Sequence, residues 1–484
     1  MESIEINPQV NMYIGDEVYT SEEIQKRVLL LTDIFKQTKV KKLAILMDNH
    51  PNWIIVSLAA LAADVWLTPI PVFFTAEQIE NIMKSLHPDS IVSDSSETLM
   101  RLTGESATKI SDGLFLARIE PYPQNNDTNF SGILTYTSGS TGAPKGVLLP
   151  YANVIKQINA LYDHVNPDSP IRYLAITPLS ILLENVICLT VIKFGGALFL
   201  EPVSRFLNVT NFGIKVEELI NYIDVHQIDT LLLMPIFLEN MINFLEAKQK
   251  EAPSCIKLIA VGSAMINQNL IKRALALKLP VYQGYGLTES SSIVSMNTRH
   301  NNNSLSAGKI LPHIQVKIGP ENNILVKGNL FHSYLNEEPI NQNEFYDTGD
   351  LGFVEHGFLF ITGRKKNIFS LMSGRNISPE WIESKVYKFI PQVKNIAVIG
   401  NGRPFVSIIV DLNAPISDKD FQNKIKLVNN ELPGFAHIKA YCISTEPFSI
   451  ENNLLDRKSR PNTARIIEHF KAKIQDISDG AVSG

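Results

Sequence analysis

The chain has 484 residues, with 44 basic and 49 acidic side chains and a net charge of -5. That length exceeds what one hydrophobic core fills, so two or more domains are expected, and a balanced charge without a basic stripe argues against a nucleic-acid partner. Three widely spaced cysteines, Cys188, Cys255 and Cys442, form neither a disulfide framework nor a zinc spacing, which points to a reducing compartment. The N-terminus, MESIEINPQV, lacks the basic segment and apolar core of a signal peptide, and a cytoplasmic location is expected.

In chain order, strand-like Leu43 to Met47, helix-like Asn52 to Ala63, strand-like Val65 to Ile70, a helix from Thr75 and strand-like Ser90 to Val92 form successive βαβ units. Thr75 and Gln78 make a capping box for that second helix. The most apolar stretch, Pro178 to Leu200, is interrupted by Glu184, Asn185, Lys193 and the pair Gly195-Gly196, so it reads as buried core and no membrane span is expected. The alternation returns at Ile228 to Met234 and at Cys255 to Val261. Near Gly363 the texture changes to the basic patch GRKKN, after which Ser378, Pro379 and Glu380 supply an N-cap, a first-turn proline and an acid for a new helix. The last residues, 476–484, are small and polar and are expected to fray.

The run LTYTSGSTGAPKGVLLP, Leu134 to Pro150, carries the strongest chemical signal. Gly139 and Gly142 permit turns in which backbone N–H groups converge on phosphate oxygens. Thr137, Ser138, Ser140 and Thr141 add hydroxyl donors, and Lys145 adds a mobile positive charge. A Walker loop would place Ser or Thr after Gly-Lys at the mouth of a helix, whereas here Pro144 precedes the lysine and Gly146 to Leu149 reads as a strand. This is a different polyphosphate loop.

Three further clusters suit a nucleotide. In QGYGLTES, Gly284 and Gly286 flank Tyr285, and Thr288 and Glu289 follow, offering an aromatic face, a hydroxyl and a carboxylate for a base, a phosphate and Mg²⁺. In YDTGDLGF, Tyr346 to Phe353, Asp350 could accept both hydroxyls of a ribose, although by itself the segment reads more readily as a surface turn. In GRKKNIFSLMSGRNISPEWIE, Gly363 to Glu383, Arg364 could meet a ribose or a phosphate.

In this order and spacing, the four clusters resemble the adenylate-forming superfamily of acyl-CoA synthetases, luciferases and peptide-synthetase adenylation domains, from about Leu43 to Phe470. The resemblance implies an α/β fold with a large N-terminal domain, 1–363, of parallel-rich sheets layered by helices. A small mobile α+β domain, 367–475, would follow a hinge at 364–367. It implies that Thr137 to Gly142 and Lys145 meet the ATP phosphates, that Gly262, Ser263 and Ala264 wall the adenine, and that Tyr285, beside Gly286, stacks on the base. Thr288 would touch the α-phosphate, Glu289 would hold Mg²⁺, Asp350 and Arg364 would fix the ribose, and Lys366 would be the hinge residue. Gly374, Arg375 and Asn376 would line the approach of the thiol.

The implied reaction joins a small-molecule carboxylic acid to ATP, giving an acyl-adenylate and pyrophosphate, and then transfers the acyl group to a phosphopantetheine thiol with release of AMP. That thiol belongs to CoA or to an acyl carrier protein, and the nucleotide residues do not separate the two. TPLSILLENVICL, Thr177 to Leu189, resembles the acyl-pocket segment of long-chain acyl-CoA synthetases, with Ile181 where the related pattern has histidine. Ile181, Leu182, Leu183, Met234 and Ile236 are apolar enough to bound an alkyl tail, which favours a medium- or long-chain fatty acid, with an aryl or branched acid second. One departure stands out. In NNLLDRKSRPNTARII, Asn452 to Ile467, the family's adenylation lysine falls on Arg460 in the register set by Leu455 and Ile466, while a loop shifted by two would present Lys458. If neither residue served, the chain would be a nucleotide- or acyl-binding relative without catalysis.

Overall fold

The computed structural model describes residues 4–119, 130–137, 145–208, 213–262, 268–456, 460–471, 473 and 474. Two large sheets share a helix that is apolar on every side. This helix, Pro51–Ala62, starts with His50 as N-cap, whose ring nitrogen accepts from Asn52 N at 3.0 Å, and has Pro51 in its first turn. Trp53 to Ala60 are all buried, and all but Ser57 join one cluster with Leu43, Ile45 and Leu67 of one sheet and Tyr173, Leu198 and Leu200 of the other. A helix with no polar face is stable only in such a sandwich.

The first sheet has eight strands, ordered Ser333–Tyr334, Lys145–Pro150, Gly132–Thr137, Trp66–Pro69, Lys42–Leu46, Ser90–Ser93, Leu114–Arg118 and Thr108–Ser111. Its centre is parallel, with Leu43 opposite both Leu67 and Ser90, as the βαβ alternation predicts. The capping box expected at Thr75 is present: Gln78 N donates to Thr75 Oγ1 at 3.2 Å, and Thr75 N donates to Gln78 Oε1 at 3.0 Å.

Among the described residues the second sheet has thirteen strands, and Asn11–Ile14, Gly196–Leu200, Ile171–Ala175, Thr230–Leu233, Leu258–Val261 and Val281–Tyr285 form its parallel part. Val281–Tyr285 is the point of change: it is parallel to Leu258–Val261 on one side and antiparallel to Ser295–Met296 on the other. A second apolar cluster, built from Phe199, Ile223, Phe237 and Ile259 among others, covers the opposite face of this sheet. Pro178 to Leu200 is core, as expected, split by Gly195-Gly196 into the helix Leu182–Phe194 and the strand Gly196–Leu200. Among the described residues, no helix is long and apolar enough to cross a membrane.

Beyond Arg364 the chain builds a smaller α+β unit. Its three-stranded sheet, Val393–Ile399, Val406–Leu412 and Ile438–Ile443, carries the helices Pro379–Phe389 and Asp418–Asn430 over one apolar cluster and Thr463–His469 over another. The helix Pro379–Phe389 begins at the expected N-cap, Ser378. It packs on the strand Phe358–Arg364 and the helix Gln268–Ala276.

The segment before Leu43, which the motifs leave without a reading, is integral to the large sheet. Asn11–Ile14 pairs in parallel with Gly196–Leu200, the hairpin strand Glu17–Thr20 follows, and Thr20 and Glu23 form a capping box for the helix Ser21–Gln37.

Candidate active site

The phosphate-loop segment is a hairpin near one edge of the eight-stranded sheet: Gly132–Thr137 and Lys145–Pro150 pair antiparallel, with Thr137 opposite Lys145. Ser138, Gly139, Ser140, Thr141 and Gly142 lie outside the described residues, as do Ser263, Ala264 and Lys458. The edge strand Ser333–Tyr334 puts Tyr334 opposite Val147. The Lys145 ammonium therefore lies 4.7 Å from the centre of the Tyr334 ring, and 3.9 Å from Glu337 Oε1. Tyr334 in turn donates to Glu289 Oε1 at 2.9 Å, and its oxygen is 2.9 Å from that of Tyr346. One tyrosine so joins the lysine of the first motif to the carboxylate of the second and the opening residue of the third.

Glu289 occupies a single turn, Thr288–Ser290, just past the carboxyl end of Val281–Tyr285, the side of an open α/β sheet on which ligands bind. Its Oε2 has no hydrogen-bond partner among the described residues. A few residues earlier, Gly286 has a local reason: a Cβ there would fall 1.6 Å from the carbonyl oxygen of Ser292. Gly262 is different, because among the described residues a Cβ would make only an ordinary contact, with the Gly284 oxygen at 3.7 Å.

Asp350 and Arg364 face each other across a β-hairpin, and Asp350 Oδ1 pairs with Arg364 Nε at 2.7 Å. Tyr285 donates its hydroxyl to Asp350 Oδ2, also at 2.7 Å. Burial raises the pKa of Asp350 despite the Arg364 guanidinium and the Tyr285 hydroxyl, and burial together with Asp350 pushes the Tyr285 phenol up. An ionised carboxylate has about four acceptor sites, so both oxygens retain capacity for ribose hydroxyls.

A cavity of about 1060 Å³ runs from this region into the N-terminal sheets. Gly262, Gly284, Tyr285, Gly286 and Thr288 line it together with Ile181, Leu182, Leu183 and Met234. Ile236, the remaining residue expected to bound an alkyl tail, does not line the cavity: it sits in the first turn of Pro235–Lys248 and packs on the cluster beneath the opposite sheet face. Lys145, Glu289, Asp350, Arg364 and Arg460 also stand outside its lining; Glu289 follows Thr288 in the chain and Asp350 is bonded to Tyr285, both of which line it. Ile450, from the C-terminal unit, does line it.

Glu184, in the apolar segment, is fully buried, accepting from the Tyr173 hydroxyl at 2.7 Å and from the Thr177 hydroxyl. Both partners line the cavity. Burial pushes the carboxyl up to about 7 from its ordinary 4.5, against the pull of the two hydroxyls. The folded chain thus holds a proton that the unfolded chain releases, and stability from this group, present below about pH 4.5, is lost as pH rises through about 7, a change of about 3 kcal/mol. Glu184→Gln should match the wild-type Tm at pH 5 and exceed it by a few degrees at pH 8. Parallel Tm curves across that range would contradict this assignment.

In the C-terminal unit, Gly374, Arg375 and Asn376 form an exposed turn in which Leu371 N donates to Arg375 O at 2.9 Å, and none of them lines the cavity. Lys366 sits in the single turn Lys365–Asn367, where desolvation and the nearby charges of Arg364 and Arg460 lower its pKa. Lys366 thus lies within reach of the charges of Arg364, Arg460 and Asp350.

The sequence profile of AMP-binding enzymes matches residues 7–330, and that of the AMP-binding enzyme C-terminal domain matches residues 366–480. The chain belongs to the AMP-binding enzyme family. Among its relatives, 2-succinylbenzoate–CoA ligase of Bacillus pumilus is 26% identical over 412 residues, covering 78% of this chain and 79% of the relative. Long-chain-fatty-acid–CoA ligase 5 of Rattus norvegicus is 24% identical over 563 residues, covering 93% of this chain and 81% of the relative. The same fold is seen in o-succinylbenzoate CoA synthetase from Bacillus subtilis in complex with its acyl-adenylate intermediate, with a TM-score of 0.70, 21% identity and 95% of each chain covered.

Within this AMP-binding enzyme, several site residues escaped the sequence reading. Tyr334 lies in no motif, and only strand pairing brings it to Lys145. Buried Asn49 donates to Thr177 O at 2.9 Å and accepts from Leu179 N at 2.8 Å, pinning the loop that leads into the cavity-lining helix. A lone polar residue between two elements gives no periodic signal. Among the described residues there is no cluster of three or more His, Cys, Asp or Glu suited to a metal. Mg²⁺ needs no such cluster, since it characteristically takes one or two carboxylates and completes its shell with phosphates and water.

Proposed function

We propose that this AMP-binding enzyme is an acid–thiol ligase that activates a medium- or long-chain fatty acid with ATP and passes the acyl group to CoA. The observation that carries this reading is that Gly262, Tyr285 and Thr288 share the lining of one cavity with Ile181, Leu182, Leu183 and Met234, so that a nucleotide and an alkyl tail would meet there. CoA ligases of 2-succinylbenzoate and of long-chain fatty acids among the relatives support the reaction type and leave the acid to be fixed by the cavity.

In the first half-reaction a carboxylate oxygen attacks the α-phosphorus of ATP and pyrophosphate departs. The protein's part is positioning and neutralisation of charge. Asp350 holds the ribose, Tyr285 stacks on the base, Thr288 donates to the α-phosphate, and Lys145, with the loop at 137–142, takes the β- and γ-phosphates. Bound Mg²⁺ would neutralise charge on the departing pyrophosphate, with Glu289 as its carboxylate and Tyr334 fixing that carboxylate's orientation. Arg460 supplies positive charge between the acid and the α-phosphate. In the second half-reaction the thiol adds to the acyl carbon, AMP leaves, and a thioester forms.

With Ile450 on the cavity and Gly374–Asn376 exposed away from it, the arrangement suits adenylation, and the C-terminal unit must turn to bring the thiol approach in. Lys366→Pro, which fixes φ at the proposed pivot, should slow thioester formation about tenfold more than adenylate formation, measured separately with supplied acyl-adenylate and by pyrophosphate release. Equal losses would contradict a pivot there. The acid and the acceptor are tested by loading the protein with fatty acids of graded length and with aryl acids, then chasing with CoA or with a phosphopantetheinylated carrier protein. Fatty acyl-CoA should be the main product; an aryl thioester, or acylation of the carrier alone, would overturn the corresponding half of the reading.

A further inference from the structure

Arg460 is held in an unusual way for a residue on an exposed loop. Asp456 Oδ2 accepts from both Arg460 Nε at 2.9 Å and Nη2 at 2.7 Å, while Oδ1 accepts from the Arg460 backbone N at 3.0 Å. The backbone N of Asp456 returns a bond to Arg460 O at 2.8 Å, a bridge joins Leu455 to Pro461, and Asn462 N donates to Leu454 O at 2.9 Å. Leu454, 1% exposed, anchors this closed loop in the apolar cluster beneath the helix Thr463–His469.

Stability does not account for the clamp. The two side chains are 58% and 32% exposed, and an ion pair so placed contributes about 0–1 kcal/mol. What four bonds between one carboxylate residue and one arginine do supply is a fixed direction for the guanidinium. An ammonium on a flexible stem can donate along many directions, whereas a guanidinium donates only in its plane, so arginine in a lysine's place needs aiming. Of the five guanidinium N–H groups, two are committed to Asp456 and three remain. The Arg460 charge is near enough to Lys366 to act on it alongside Arg364, which sets the loop near the single turn Lys365–Asn367.

We propose that Asp456 is the positioning residue for Arg460: it aims the three remaining donors at the substrate carboxylate and α-phosphate, so that arginine performs the adenylation step. This rests on the role of Arg460 given above. The test compares Asp456→Ala, Asp456→Asn, Arg460→Ala, Arg460→Lys and the double variant Asp456→Ala/Arg460→Lys, with adenylate formation and thioester formation from supplied acyl-adenylate measured on each. Asp456→Ala should lower kcat for adenylation about 10- to 100-fold with little change in the KM for ATP, and Asp456→Asn should lose less. Thioester formation from supplied adenylate should be unchanged, which also reports folding. In the Arg460→Lys background, removing Asp456 should cost less than about twofold, because no fork is left to aim. Wild-type adenylation by Asp456→Ala and Asp456→Asn while Arg460→Ala is inactive overturns the positioning role alone, and so does an equal Asp456→Ala penalty in both backgrounds. Full adenylation by Arg460→Ala removes the role of Arg460 itself, and the proposal with it.

Discussion

Arg460→Ala is expected to cut acyl-adenylate formation by about 10²- to 10³-fold, the cost of removing one preorganised donor from a site where negative charge develops. Of the cations Arg364, Lys366 and Arg460, the first is paired with Asp350 at 2.7 Å and the second has its charge disfavoured by desolvation and by its cationic neighbours. Arg460 is the member whose loop is built to present it. Lys458→Ala should lose little, and thioester formation from supplied acyl-adenylate should survive both changes, since Arg460 acts before the thiol enters. Were Lys458→Ala the inactive variant, the register of this loop would be displaced by two residues.

Glu289→Gln is expected to raise the Mg²⁺ concentration for half-maximal adenylation by about tenfold or more, because a neutral amide is a poor ligand for a hard cation. The substitution keeps the shape of the side chain and an oxygen for the Tyr334 hydroxyl, which now donates to Glu289 Oε1 at 2.9 Å, so folding should be spared. Titration of pyrophosphate release against Mg²⁺ measures the effect, and an unshifted curve would remove Glu289 from the metal site. Tyr334→Phe should shift the curve in the same direction by less, since it frees the carboxylate without removing it.

What could be read in the sequence was what repeats or clusters locally. The βαβ alternation, the Thr75 capping box and the Ser378 N-cap depend on neighbours a few residues apart, and each forms as its pattern predicts. Contacts made by sheet pairing left no such trace. Tyr334 reaches Glu289 across 45 positions, and Asn49 reaches Thr177 across 128. The hairpin before Leu43 leaves little sequence signal because its strands are only four residues each and carry little alternation, although the Thr20 to Glu23 capping box marks the helix after it. Ile236 shows the opposite error: its apolar side chain suited a tail pocket, but the helix beginning at Pro235 turns it to the other core. Asp456 drew no notice because a carboxylate in a basic stretch reads as a solvated charge until its arginine is seen folded back on it.

The most direct test of an acid-activating enzyme is exchange of labelled pyrophosphate into ATP, catalysed by the purified protein with Mg²⁺ and a panel of carboxylic acids, before any thiol is added. Exchange requires that an acyl-adenylate form and revert on the enzyme. The proposed function gives acid-dependent exchange, strongest with medium- or long-chain fatty acids and abolished in Arg460→Ala. A folded protein that exchanges no pyrophosphate with any acid would contradict it.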